Sequence, residues 1–168
     1  MDIFDFALKM ESDGEKYYRQ QAKATHFEDL KVLLEALADE EARHYKIVEA
    51  MRVQNNEYLQ GDDSLAKASS IFVSYKNDAN ALRKAISIEK LREEQIDVYR
   101  VALAKEKESV ALYEKMLLQA KSPAEKAVLE KLVKEESNHA LALDNVIELL
   151  NRVNDWVEAA EFNHREPY

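Results

Sequence analysis

The sequence contains no cysteine, two glycines and two prolines in 168 residues. Without cysteine there are no disulfides, iron–sulfur clusters, thiolate zinc sites or cysteine nucleophiles. So few glycines and prolines leave little turn chemistry, which argues against an all-β fold and for a few long helices. Basic residues are also in deficit: 24 Lys and Arg against 33 Asp and Glu give a formal charge of −9. That field repels a phosphate backbone, so nucleic acid is not an expected partner. No apolar run approaches the ~20 residues of a membrane span. The acidic opening MDIFDF lacks the pattern of an export signal, so a soluble, cytoplasmic protein is expected.

What is present is helical periodicity. With 46% hydrophobic and 34% charged residues, the chain has the balance of one globular domain large enough to bury a core. Apolar residues recur at steps of three and four. The spacing predicts one helix from about Asp2 to Ala24 and a second from about Phe27 to Arg52, with Thr25 and Glu28 as its capping box. A third covers Ile96 to Ala120, with a start in SIEKLREEQ open. Ser122-Pro123-Ala124-Glu125 opens a fourth, which runs to about Val153. The hairpins then span about 2–52 and 96–153, and residues 53–95, with Gly61, form a crossover. Residues 1–153 make the bundle. Residues 154–168 form a tail whose Trp156, Val157 and Phe162 dock on the bundle or on a second subunit.

The two halves repeat. Laying Glu11 on Glu106 without a gap also lays Tyr18 on Tyr113, Glu41 on Glu136, His44 on His139, Ala7 on Ala102 and Leu37 on Leu132. Two hairpins of one design make an all-α four-helix bundle.

Each helix carries a stripe that is apolar at both ends and polar at mid-length: Glu11 on the first, Glu41 and His44 on the second, Glu106 on the third, Glu136 and His139 on the fourth. Each Glu-x-x-His pair shares one face. Glu11 and Glu41 are equally far from a turn near His26, as Glu106 and Glu136 are from one near Lys121. Each pair therefore lies about 22 Å from its turn, side by side across its hairpin. If the hairpins pack in register, four carboxylates and two imidazoles share one layer. No Lys or Arg stands on any stripe, and bare carboxylates in an apolar layer are costly. Two divalent cations would neutralise them, and this donor set suits iron or manganese better than zinc or calcium. Paired Glu and Glu-x-x-His helices are the known pattern of di-iron and di-manganese bundles.

Other polar residues have plainer readings. Glu40 and Glu135 repeat but sit one position off the stripe, as solvated flank carboxylates; Glu15 and Glu108 are also off it. Tyr18 and Tyr113 are either core fillers or donors to a ligating carboxylate. Gly14 and Ser109 either leave room for an exogenous ligand or permit close helix packing. His26 and His164 lack partners at metal spacing and read as surface residues.

The segments LKMESDGEKYY with ADEEARHYKIV, and AKEKESVALYE with VKEESNHALAL, resemble the ferritin-like superfamily and, within it, the rubrerythrin-type di-iron proteins. The resemblance implies a ferritin-like bundle with two iron ions (manganese being the alternative) held by Glu11, Glu41, His44, Glu106, Glu136 and His139. It implies an oxidoreductase that reduces hydrogen peroxide or dioxygen, and, by analogy, a homodimer. Full-length rubrerythrins add a rubredoxin domain with four cysteines, so here electrons would come from an external donor. They also carry a further glutamate ligand on the third helix, where this chain has Leu103 and Ser109 one turn either side of Glu106. The alternatives are a protein that binds or senses iron without turnover, and a metal-free bundle with a structural role.

Overall fold

The computed structural model describes residues 3–53 and 96–163. They form α1 (Ile3–Ala24), α2 (Glu28–Arg52), α3 (Ile96–Gln119) and α4 (Pro123–Asn163). The expected crossover beyond Val53, any earlier start of α3, and His164 lie outside the described residues. Among the described residues there is no strand, and no helix is long and apolar enough to cross a membrane. The fold is an all-α four-helix bundle.

Helix α1 packs along α2 and α3 along α4; the hairpins meet through the seams α1–α3 and α2–α4. The Tyr17 hydroxyl, late in α1, donates to the Val98 carbonyl, early in α3, at 2.7 Å. The first helices of the two hairpins therefore run antiparallel. Phe27, in the first turn, packs on one apolar cluster, and Ala120, in the second, packs on the other, so the turns lie at opposite ends of the bundle.

The second turn is built as expected: the Glu125 N–H donates to Ser122 Oγ at 3.1 Å, and the Glu125 carboxylate accepts the Lys121 N–H at 2.9 Å. The first is not. Phe27 caps α2 in an extended conformation with no side-chain cap, and Thr25 Oγ1 instead accepts the Phe27 N–H at 3.2 Å. Thr25 stands two residues before the cap residue Phe27 rather than at the cap, so the capping box does not form. Helix α4 also continues well past the expected end near Val153, to Asn163. Trp156 packs on the core there, giving the added turns an apolar anchor.

The core is divided. One cluster gathers Leu30, Leu34, Leu37, Tyr99, Ala102, Leu143 and Val146; the other gathers Ala7, Val48, Met116, Leu129 and Leu132. Between them lies the polar layer. Exposed ion pairs such as Arg19 with Glu15 and Asp39 decorate the α1–α2 surface and are worth little individually.

A buried carboxylate and imidazole layer

All six residues at mid-stripe are buried: Glu11, His44, Glu136 and His139 at 0% exposure, Glu106 at 2% and Glu41 at 3%. They meet. His44 Nδ1 lies 2.7 Å from Glu136 Oε1 and 3.7 Å from Glu11 Oε2. His139 Nδ1 lies 3.3 Å from Glu41, 3.2 Å from Glu106 and 3.4 Å from Glu136. The two imidazoles stack, with centroids 5.3 Å apart. One ligand atom from each of Glu41, His44, Glu136 and His139 fits within 4.8 Å of the others.

The tyrosines close the layer crosswise. The Tyr18 hydroxyl donates to Glu106 of the other hairpin, and the Tyr113 hydroxyl donates to Glu11. Of the two readings of these rings, carboxylate donor is the one observed. Burial raises both phenols, and the facing carboxylates, Glu106 and Glu11 respectively, raise them further, so each remains a neutral donor at neutral pH.

The electrostatics of the layer are lopsided. Burial pushes Glu11 and Glu106 well above the usual carboxylate range, helped by Glu41. Burial opposes ionisation of Glu136 too, but His44 and His139 flank it and hold it well below that range. Burial would depress the imidazoles, yet Glu136 and Glu135 raise His44 to about 9, and Glu106 and Glu136 raise His139. Even so, Glu11 Oε2, Glu41 Oε1, both Glu136 oxygens, His44 Nδ1 and His139 Nε2 have no hydrogen-bond partner. Buried polar atoms are normally satisfied. The open oxygens of Glu11, Glu41 and Glu136 with His44 Nδ1, beside His139 Nδ1, are a donor set suited to divalent first-row cations.

Gly14 explains part of the packing. A Cβ there would stand 2.7 Å from Glu41 Oε2, so the missing side chain makes room for a carboxylate of the layer itself. Beside it, a cleft of about 170 Å3 between α1 and α3 reaches in past Met10, Gly14 and Ser109 to Tyr18, Glu41 and Glu106. The buried Ser109 hydroxyl has two acceptors for its one proton, Met10 Sδ at 3.4 Å and the Lys105 carbonyl at 3.2 Å.

Two expectations need correction. Glu40 is buried, at 4% exposure, and Glu135 is half-buried; neither is a solvated flank. Nor is the region free of cations, because Arg43 Nη2 pairs with Glu40 and, at 2.9 Å, with Glu135. Glu135 also accepts from His44 Nε2 at 3.2 Å. Burial works upward on Glu135, but His44 and Arg43 pull it down to about 2, so it is an ionised acceptor. These residues line the α2–α4 seam, which a single stripe per helix does not include. The usable signal was Arg43 three positions from Glu40 on the same helix. Glu40, His44 and Glu135 also stand at metal distance, but Arg43 already supplies the positive charge there. His26 is exposed, as expected, and Glu15 pairs with Arg19.

Comparison with known proteins agrees with this geometry. A family model described as Rubrerythrin matches residues 2–147. Among curated proteins no relative matches the chain, and among solved structures none does.

Proposed function

Because this chain belongs to the rubrerythrin family, we propose that it is a di-iron oxidoreductase that reduces hydrogen peroxide or dioxygen with electrons from an external donor. The observation that supports this is the buried layer of four carboxylates and two imidazoles, in which Glu11 Oε2, Glu41 Oε1, both Glu136 oxygens and His44 Nδ1 lack hydrogen-bond partners. Glu11, Glu41, His44, Glu106, Glu136 and His139 would hold the metals, with manganese as the alternative occupant. An iron pair bound there would supply two one-electron couples, the two electrons that, with two protons from solvent, convert one peroxide to two waters.

The chain's own residues do the rest. Tyr18 and Tyr113 fix the orientation of Glu106 and Glu11, as outer hydrogen bonds do for metal ligands generally. Gly14 keeps the place of the Glu41 carboxylate free. The apolar clusters above and below exclude bulk water, which strengthens electrostatic interactions inside. The cleft past Met10 and Ser109 admits a molecule of peroxide size on the Glu41 and Glu106 side.

The test is to purify the protein without air, count its metals by elemental analysis, and mix the iron-loaded protein with peroxide in a stopped-flow instrument. Two irons per chain and an oxidation much faster than that of free iron, ending in a diferric absorption band, are expected. Oxidation at the rate of free iron would leave a non-catalytic iron-binding protein, and no metal at all would leave only a scaffold.

A further inference from the structure

The methionines of the described residues occupy different surroundings. Met116 is buried at 4% exposure in an apolar cluster, and Met51, half-buried late in α2, packs against the same cluster. Met10 also rests on that cluster, but it forms part of the wall of the cleft between α1 and α3. There Ser109 Oγ, on α3, stands 3.4 Å from its sulfur. The internal repeat does not copy this pair: it lays Met10 on Lys105 and Ser109 on Gly14. The pairing is therefore separate from the design that the two hairpins share.

A thioether is polarizable but a weak hydrogen-bond acceptor. The Ser109 hydroxyl gains little from Sδ, and the Lys105 carbonyl at 3.2 Å competes for the same proton. Oxidation changes that balance. A sulfoxide is polar and chiral at sulfur, and its oxygen is a far better acceptor than the sulfur was. A hydroxyl already beside the sulfur is placed to donate to an oxygen added on that side, and to favour one of the two epimers.

We propose that Met10 is a peroxide-modification site and that Ser109 is the positioning residue that receives the added oxygen. The Sδ lone pair attacks one oxygen of hydrogen peroxide; the S–O bond forms as the O–O bond breaks. The leaving oxygen takes a proton from solvent, the added oxygen returns its proton to solvent, and methionine plus peroxide become methionine sulfoxide plus water. Sulfur loses two electrons and peroxide gains them. The product turns an apolar wall of the cleft polar, in a form that sulfoxide reductases can reverse. None of this requires a metal in the layer, so it stands whether or not the layer turns over.

Peptide mass mapping of the metal-free full chain, sampled over time in dilute hydrogen peroxide, tests it. Met10 should oxidise first, Met51 more slowly, and Met116 should stay a thioether. Of two reductases each specific for one sulfoxide epimer, one should restore most of Met10 and the other little. Ser109→Ala should slow Met10 about fivefold, the equivalent of one neutral hydrogen bond, and leave both reductases restoring similar shares. Ser109→Thr, which keeps the hydroxyl, should retain the wild-type preference. A wild type in which Met10 oxidises no faster than Met51 or Met116, or gives both epimers equally, overturns the proposal without any variant. So does a Ser109→Ala whose Met10 keeps the wild-type rate or the wild-type epimer ratio.

Discussion

Gly14 and Glu41 share one small volume: a Cβ on the first would lie 2.7 Å from Oε2 of the second. The displaced atom is the far end of a flexible side chain, so the bundle survives the collision. Gly14→Ala should leave the metal-free protein as stable as wild type or up to about 1 kcal/mol more stable, since alanine is the better helix former. Metal affinity should fall, because Glu41 must leave its place. Thermal denaturation of the metal-free protein beside a metal titration checks the split; loss of both or of neither contradicts it.

Glu11 and Glu136 are both fully buried, yet they should respond oppositely to neutralisation. Burial and its acidic neighbours work against Glu11 as an anion, while two imidazoles hold Glu136 ionised. Glu11→Gln, which keeps an acceptor for Tyr113, should raise the melting temperature of the metal-free protein. Glu136→Gln should lower it, by about 3–5 kcal/mol of stability as for other broken buried ion pairs. Both should lose metal. Equal shifts of the same sign would show that the layer is not polarised as described.

Tyr18→Phe and Tyr113→Phe each remove a donor from a buried carboxylate. Each should cost about 1–3 kcal/mol, the range for leaving such an acceptor unsatisfied. Chemical denaturation at fixed pH measures it. A change near zero for either would mean that the hydroxyl acts only as filler.

The metal-free protein should lose stability as pH rises. The folded value for His44 stands at about 9 against an ordinary 6.5, so its contribution is fully present below 6.5 and disappears as pH climbs through about 9. The raised values of Glu11, Glu106 and His139 act in the same direction. Metal-loaded protein should do the opposite on the acid side, gaining stability as pH rises, because cations compete with protons for the same atoms. Melting curves across pH, with and without metal, check both trends.

The six residues of the layer were legible because two periodicities coincide in them: the helical step that puts them on one face, and the internal repeat that copies Glu11, Glu41 and His44 onto Glu106, Glu136 and His139. The seam residues escaped for a geometric reason. In a four-membered bundle each helix touches two neighbours, so its buried face is wider than one line of residues, and Glu40, Arg43 and Glu135 fall in the added width. Thr25 was misread because a hydroxyl two residues before the cap residue can bond locally to Phe27 and still leave the helix uncapped. The end of α4 was misplaced because Trp156 anchors on a distant part of the core, which local periodicity does not reveal.

Each hairpin carries the hydroxyl that the opposite hairpin's glutamate needs. Neither half is chemically complete alone: separated, each would hold an uncomforted acid and an idle phenol. Docking of the halves is thus the step that finishes both, and a substitution that merely loosened their mutual grip would be felt first at the centre, long before the helices themselves began to fray.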